Sequence, residues 1–250
     1  MPVSRPDDPI PQTAAGLQAL FINTSLKRDA GKSHTAKLMV MAETICSRAG
    51  ADVTHVHLAD YDVPNGVHAD MREHGADTDD WPDLWNRVEA ADILVIGTPI
   101  WLGQESSLCR TLVERLYAMS DTLNEKGQSI FYGMVGGAMI TGNEDGLKHC
   151  ASSILFALQH LGCTIPPQAD CGWIGEAGPG PSFGDPQDTG PAAGFDSEFT
   201  QRNTTMMTWN LIHMARLLKE ADGLPRYGND RTAWSEGARF GLEQPHAVAN

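Results

Sequence analysis

Residues 93–97 read Ile-Leu-Val-Ile-Gly, an unbroken apolar run. A strand with one wet face alternates apolar and polar residues, whereas a strand covered on both faces does not. The run therefore predicts a central strand of a parallel sheet with helices packed on either side. The rest of the chain keeps the same rhythm. Strand-like runs are expected at Leu17–Asn23, at Asp52–Leu58 (less apolar, hence nearer an edge), at about Phe131–Thr141, and as a short piece near Cys163–Ile165. Between them lie helical periods: Thr35–Ala49 with Leu38, Met41 and Ile45 in register; a helix that starts at Asp80-Trp81-Pro82, with Asp80 as an acidic cap and Pro82 in its first turn; about Ser106–Met119; and about Leu147–Leu161, ended by Gly162. A last helix is expected over about Thr200–Glu220. The alternation predicts an α/β doubly wound parallel sheet with right-handed crossovers.

Two stretches break the pattern. The first sixteen residues are Pro-rich and non-periodic and are expected to form a flexible arm, either mobile or docked on a partner subunit. Residues 172–198 are rich in Gly, Pro and Asp and too long for an ordinary connection, and are expected to form either a lid over an active site, with Trp173 and Phe183 as candidates to touch substrate, or an oligomer contact. The organisation expected is thus an arm over 1–16, one domain over 17–222 with that irregular insertion, and an irregular tail over 223–250.

The formal net charge of the 250-residue chain is −14. Such a chain is repelled by nucleic-acid phosphates and by anionic membrane surfaces, so neither is expected as a partner. The five cysteines show no metal-ligand spacing and are expected to be buried, reduced thiols. With no apolar run long enough to span a bilayer and no secretory leader pattern, a cytoplasmic protein is expected.

Three loops at strand ends carry the chemistry. The first contains Asp-Ala-Gly-Lys-Ser-His-Thr, 29–35, whose Gly-Lys-Ser matches half of a nucleotide-triphosphate loop. That loop needs a glycine where this chain has Leu26, and the later strand ends in Gly-Thr-Pro, without the Asp that would reach Mg²⁺. The stretch still suits a phosphate held without metal. It opens a helix, with backbone N–H groups and the positive helix end facing the loop, and it is rich in hydroxyls and in Lys27, Arg28 and Lys32. Its plainer alternative is a capped helix start with exposed basic residues. The second loop, Gly-Thr-Pro-Ile-Trp-Leu-Gly from 97 to 103, presents an apolar Ile-Trp-Leu run that costs solvation unless a flat partner covers it. Packing of Trp101 in a core or a subunit contact is the alternative there. The third, Met-Ile-Thr-Gly-Asn-Glu-Asp-Gly from 139 to 146, offers backbone groups to a ring edge or is merely a turn. A flat aromatic ligand bearing a monophosphate fits all three.

These segments, in the forms NTSLKRDAGKSHTAKLM, GTPIWLGQESSLCRTLVERL and GAMITGNEDGLKH, resemble the three flavin-contacting segments of the flavodoxin-like NAD(P)H-dependent FMN reductases and quinone reductases. The resemblance runs from about 17 to 166. It implies a five-stranded parallel sheet in the order 2-1-3-4-5, noncovalent FMN with NAD(P)H as co-substrate, and a homodimer or homotetramer. It places Ser25, Lys27, Ser33, His34 and Thr35 around the phosphate, Pro99, Ile100, Trp101, Leu102 and Gly103 along the ring, and Thr141, Gly142 and Asn143 on its other side. Electrons would pass from NAD(P)H through FMN to a quinone, free flavin or another small-molecule acceptor, with no catalytic side chain named. Some relatives carry an iron–sulfur centre between the second strand and second helix; the cysteine-free stretch DVPNGVHADM predicts no metal site here. The competing readings are a non-enzymatic FMN electron carrier and a binding protein of this fold without flavin.

Overall fold

The computed structural model describes residues 9–178 and 180–243. Its elements in chain order are β1 (Gln18–Asn23), α1 (His34–Arg48), β2 (Asp52–His57), α2 (Trp81–Glu89), β3 (Ile93–Trp101), the two-residue β4 (Gln104–Glu105), α3 (Ser107–Tyr117), β5 (Val135–Gly142), α4 (Leu147–Leu161), β6 (Asp170–Ile174), α5 (Glu198–Glu220) and α6 (Arg231–Ser235). Five strands form a parallel sheet in the order β2-β1-β3-β5-β6, and β4 folds back antiparallel on the end of β3. Counted along the parallel strands alone, this is the expected 2-1-3-4-5 order of a flavodoxin-like doubly wound sheet.

The central run behaves as its composition demands. Ile93, Val95 and their neighbours in β1 and β5 pack with Leu38 and Met39 of α1 and Met207 and Leu211 of α5. Leu94 and Ile96 pack with Trp81 and Trp85 of α2, Leu112 of α3 and Ile154 and Leu158 of α4. Alternate residues of one strand thus feed two cores on opposite faces, each fully buried aliphatic side chain contributing roughly 1.5–3 kcal/mol. Gly97 lets α1 approach β3: a Cβ there would lie 2.3 Å from Met39 Sδ and 2.9 Å from Thr35 Cγ2. The start of α1 is thereby brought against the carboxyl end of the sheet.

Several boundaries differ from expectation. The strand expected from Phe131 starts at Val135, because residues 131–133 form a turn. The piece expected near Cys163–Ile165 is a single bridge, Val135 to Thr164, and the fifth parallel strand is Asp170–Ile174. The irregular insertion therefore starts beyond β6 rather than at residue 172. Asp80 makes no side-chain cap of α2; Asp79 Oδ1 accepts from Trp81 N at 2.9 Å instead.

Of the expected arm, residues 1–8 lie outside the described residues. Its later part is fastened to this same chain: Ala14 N donates to Ala49 O at 2.9 Å, Arg216 Nε to Thr13 O at 2.8 Å and Lys219 Nζ to Gly16 O at 2.9 Å. The tail, described to residue 243, docks through Gln128 Nε2, which donates to Pro225 O at 3.1 Å, and through Arg231 N, which donates to Gly127 O at 2.8 Å.

Candidate functional site

The register of the sheet brings three loops to one edge. Asn23 of β1 pairs with Gly97 of β3, and Pro99 of β3 with Thr141 of β5. A cavity of about 410 Å³ opens there, within the size range of small-ligand clefts. It is lined by Ser25, Leu26, Lys27, His34 and Thr35 from the first loop and α1, by Pro99, Ile100 and Trp101 from the second loop, by Thr141, Gly142, Asn143 and Glu144 from the third, and by Ala177, Gly178, Ser182 and Phe183 from the insertion. Ten of the thirteen residues expected at the site thus share one cavity.

The other three have different employment. Ser33 is fully buried and caps α1, accepting from Ala36 N at 3.1 Å and from Asn23 Nδ2 at 3.0 Å. Leu102 is 92% exposed and Gly103 lies outside the cavity lining, both with positive φ at the tip of the second loop. Lys32, the lysine of the triphosphate-like motif, pairs with Asp29 at 3.4 Å on the solvent side.

The first loop is held from beneath. His57 Nε2 donates to Lys27 O at 2.6 Å, while its Nδ1 accepts from Asn23 Nδ2 at 2.9 Å. His55 of β2 meets Glu43 of α1 at 2.6 Å. Thr35 and Thr141 hydroxyls touch at 2.7 Å, tying α1 to the third loop. Under the second loop, Ser106 caps α3 and donates to Thr24 O at 2.7 Å. Leu102 N donates to Glu144 Oε1 at 3.0 Å, stitching the second and third loops together.

The insertion supplies a wall that periodicity did not reveal. A strap formed by 175–178 and 180–185 runs along the cavity from the third loop to α1. Asn143 Nδ2 donates to Pro181 O at 2.8 Å and to Glu176 O at 3.3 Å, and Ser182 Oγ donates to Asn143 Oδ1 at 2.9 Å. Asn143 therefore lines the cavity but spends its amide on the strap. At the other end Lys37 Nζ donates to Gly184 O at 3.0 Å, and His34 Nδ1 lies 2.9 Å from Phe183 O. Trp173 does not line the cavity; it packs edge-on against Phe183, which does.

Electrostatically the first-loop side is cationic in an acidic chain. Desolvation holds the Lys27 ammonium below its ordinary value, and Lys37 adds to that while Asp185 opposes it. Burial also lowers His34, reinforced by Lys27 and Lys37 and opposed by Phe183 O and Asp185. No group of three or more metal-ligating side chains exists among the described residues.

Sheet order, loop positions and a cleft with hydroxyls and cations on one side and Pro99, Ile100 and Trp101 on another define a flavodoxin-like oxidoreductase fold with a ligand site at the carboxyl edge. Residues 17–173 match the family of NADPH-dependent FMN reductases, and the chain belongs to that family. It is 32% identical over 238 residues to the 8-demethyl-8-aminoriboflavin-5'-phosphate synthase of Streptomyces davaonensis, covering 93% of this chain and 88% of that one. Its structure is similar to that of RosB with the bound intermediate 8-demethyl-8-formylriboflavin-5'-phosphate, with a TM-score of 0.74, 29% identity and coverage of 94% and 93% of the two chains. A stretch of 204 residues is 54% identical to the divalent metal cation transporter MntH of Mycobacterium bovis, but it spans only 29% of that protein. No helix among the described residues is long and apolar enough to cross a membrane.

Proposed function

We propose that the cavity binds FMN and that the chain is an oxidoreductase in which NAD(P)H reduces the flavin and a small-molecule acceptor reoxidises it. The observation that supports this best is the composition of the walls: Lys27, His34, Ser25 and Thr35 on one side suit a phosphate monoester, and Pro99, Ile100 and Trp101 suit a flat ring. Bound FMN supplies the hydride chemistry, and the protein supplies position and surroundings. Lys27 Nζ, already donating to Lys32 O at 3.0 Å, has further hydrogens for an anion. Trp101, 54% exposed at the cavity, offers an indole whose burial against a ring repays its solvation. The strap, through Ser182 and Phe183, walls the cavity beside the first loop.

A second reading is favoured by the likeness to RosB and to the aminoriboflavin phosphate synthase, which extends over nearly the whole of each chain and past the family segment. In it the flavin phosphate is the substrate and leaves chemically changed.

One experiment separates the readings. The purified chain is mixed with FMN and then with NADPH without oxygen, and flavin absorbance is followed. The supernatant flavin is then weighed by mass spectrometry after turnover in air. Bleaching with unchanged flavin mass supports the reductase; a changed mass supports the flavin-modifying reading. Binding without bleaching or mass change favours an electron carrier, and absence of binding overturns all three.

A further inference from the structure

We infer that His34 takes up a proton when a flavin 5'-phosphate enters the cavity, so that the chain selects the phosphorylated flavin in a proton-linked way. This rests on the flavin reading above and adds a specificity residue to it.

The argument is geometric. His34 Nδ1 lies 2.9 Å from Phe183 O, and a carbonyl oxygen accepts only, so Nδ1 carries the hydrogen in either charge state. The neutral ring must then hold its lone pair on Nε2. Because Nδ1 is spent on the strap, Nε2 is the nitrogen left for a ligand in the cavity that His34 lines. A phosphate dianion is also acceptor-only, so it faces a lone pair unless the ring is protonated. Once protonated, Nε2 donates a charge-assisted hydrogen bond.

The charged groups that face His34 come from each element around it. Lys27 comes from the first loop and Lys37 from the next turn of α1; both disfavour the imidazolium, as does burial. Asp185 of the strap, 3.5 Å from His34 Nδ1 and 3.9 Å from Lys37 Nζ, favours it. Glu144 lines the same cavity from the third loop. Burial and the two lysines therefore hold the ring below its ordinary value, and an arriving dianion tips the balance. Both Phe183 and Asp185 lie beyond residue 173, where the family match ends, so the strap is what fixes the tautomer.

The test compares FMN with riboflavin, which lacks the phosphate. Dissociation constants are measured by flavin fluorescence from pH 6.5 to 8.5, where a phosphate monoester with its second pKa near ~6 is mostly a dianion. FMN affinity is expected to weaken with rising pH by up to about tenfold per pH unit more than riboflavin affinity, the limit for one coupled proton. His34→Gln is expected to bind FMN more weakly at pH 6.5 and to lose that excess slope. In the unaltered chain, calorimetry in buffers of different ionisation enthalpy should register net proton uptake per FMN bound at pH 7.5. Equal slopes for the two flavins, or zero proton uptake, would overturn the inference while leaving flavin binding intact. Failure of both flavins to bind would instead overturn the reading on which it rests.

Discussion

Gly146, at the start of α4, passes so close to Gly103 that a Cβ at 146 would lie 2.7 Å from both the Cα and the carbonyl oxygen of Gly103. The two loops that wall the ring side of the cavity are thus packed backbone on backbone, and the Leu102–Glu144 hydrogen bond fixes their offset. Gly146→Ala adds both a clash with backbone, which has no flexible end to yield, and strain at φ +131. Gly103→Ala meets only Asp145 O at 3.8 Å and costs the left-handed backbone penalty, about 1–2 kcal/mol. Urea denaturation should therefore rank the variants, with Gly146→Ala the less stable and the weaker FMN binder.

Arg115 of α3 and Asp79 are both fully buried, with Nη2 and Oδ2 2.6 Å apart. Arg115 also donates to Pro64 O and Ala69 O, each at 3.3 Å, so it pins the irregular 59–80 segment to the domain. Arg115→Met leaves a buried carboxylate unpaired and should cost about 3–5 kcal/mol in chemical denaturation. Adding Asp79→Leu should not restore full stability, because Asp79 also accepts from the backbone of Met71 and Trp81.

Ile93–Gly97 was readable because burial on both faces leaves its mark on every residue of the run. The fifth strand, Asp-Cys-Gly-Trp-Ile, was not: it lies at the sheet edge, only two of its residues are buried, and its Asp and Gly imitate a loop. The neighbouring Cys163–Ile165 looked more strand-like and makes one bridge. Ten of the residues expected at a site on the three loops line one cavity. Ser33 was expected beside the phosphate, and its hydroxyl caps α1, a task that a helix start asks of the same residue type. The insertion was readable as a lid over the site or an oligomer contact, but its fastening was not, since it is held by the carbonyls of Pro181, Phe183 and Gly184, which any residue possesses. Glu144 lay in full view within the third loop, yet its partner is a backbone N–H forty-two residues away.

Asn143 fastens the strap with both ends of its amide. Asn143→Ala frees one end and should speed FMN release, as read by stopped-flow fluorescence. Asn143→Asp should release FMN faster still, because a carboxylate would face the carbonyls of Pro181 and Glu176 without a proton to donate. Release from both variants at the rate of the unaltered chain would mean that the strap does not retain the ligand.

The five thiols are buried, and burial pushes Cys46, Cys109, Cys163 and Cys171 up to about 12 and Cys150 to about 11. The reactive thiolate is therefore scarce at neutral pH. A disulfide reagent at pH 8 should leave the folded chain unmodified over minutes and titrate five thiols after unfolding. The same shifts act on stability. Above about pH 9 the unfolded chain loses thiol protons that the folded chain keeps, so the urea midpoint should fall between pH 8 and pH 10.

Trp101 gives the most direct test of the ring side. Its indole is 54% exposed, so truncation removes little that folding depends on. Against an aromatic ring, however, the same indole contributes roughly 0.5–1.5 kcal/mol beyond the area it covers. Trp101→Ala should therefore weaken FMN binding by about tenfold while leaving the thermal midpoint nearly unchanged, and Trp101→Phe should recover much of the affinity. The separation matters because Trp101 follows Ile100, which is buried: a loss of both stability and affinity would mean that the indole anchors the loop. Unchanged affinity in Trp101→Ala would move the ring away from the second loop altogether.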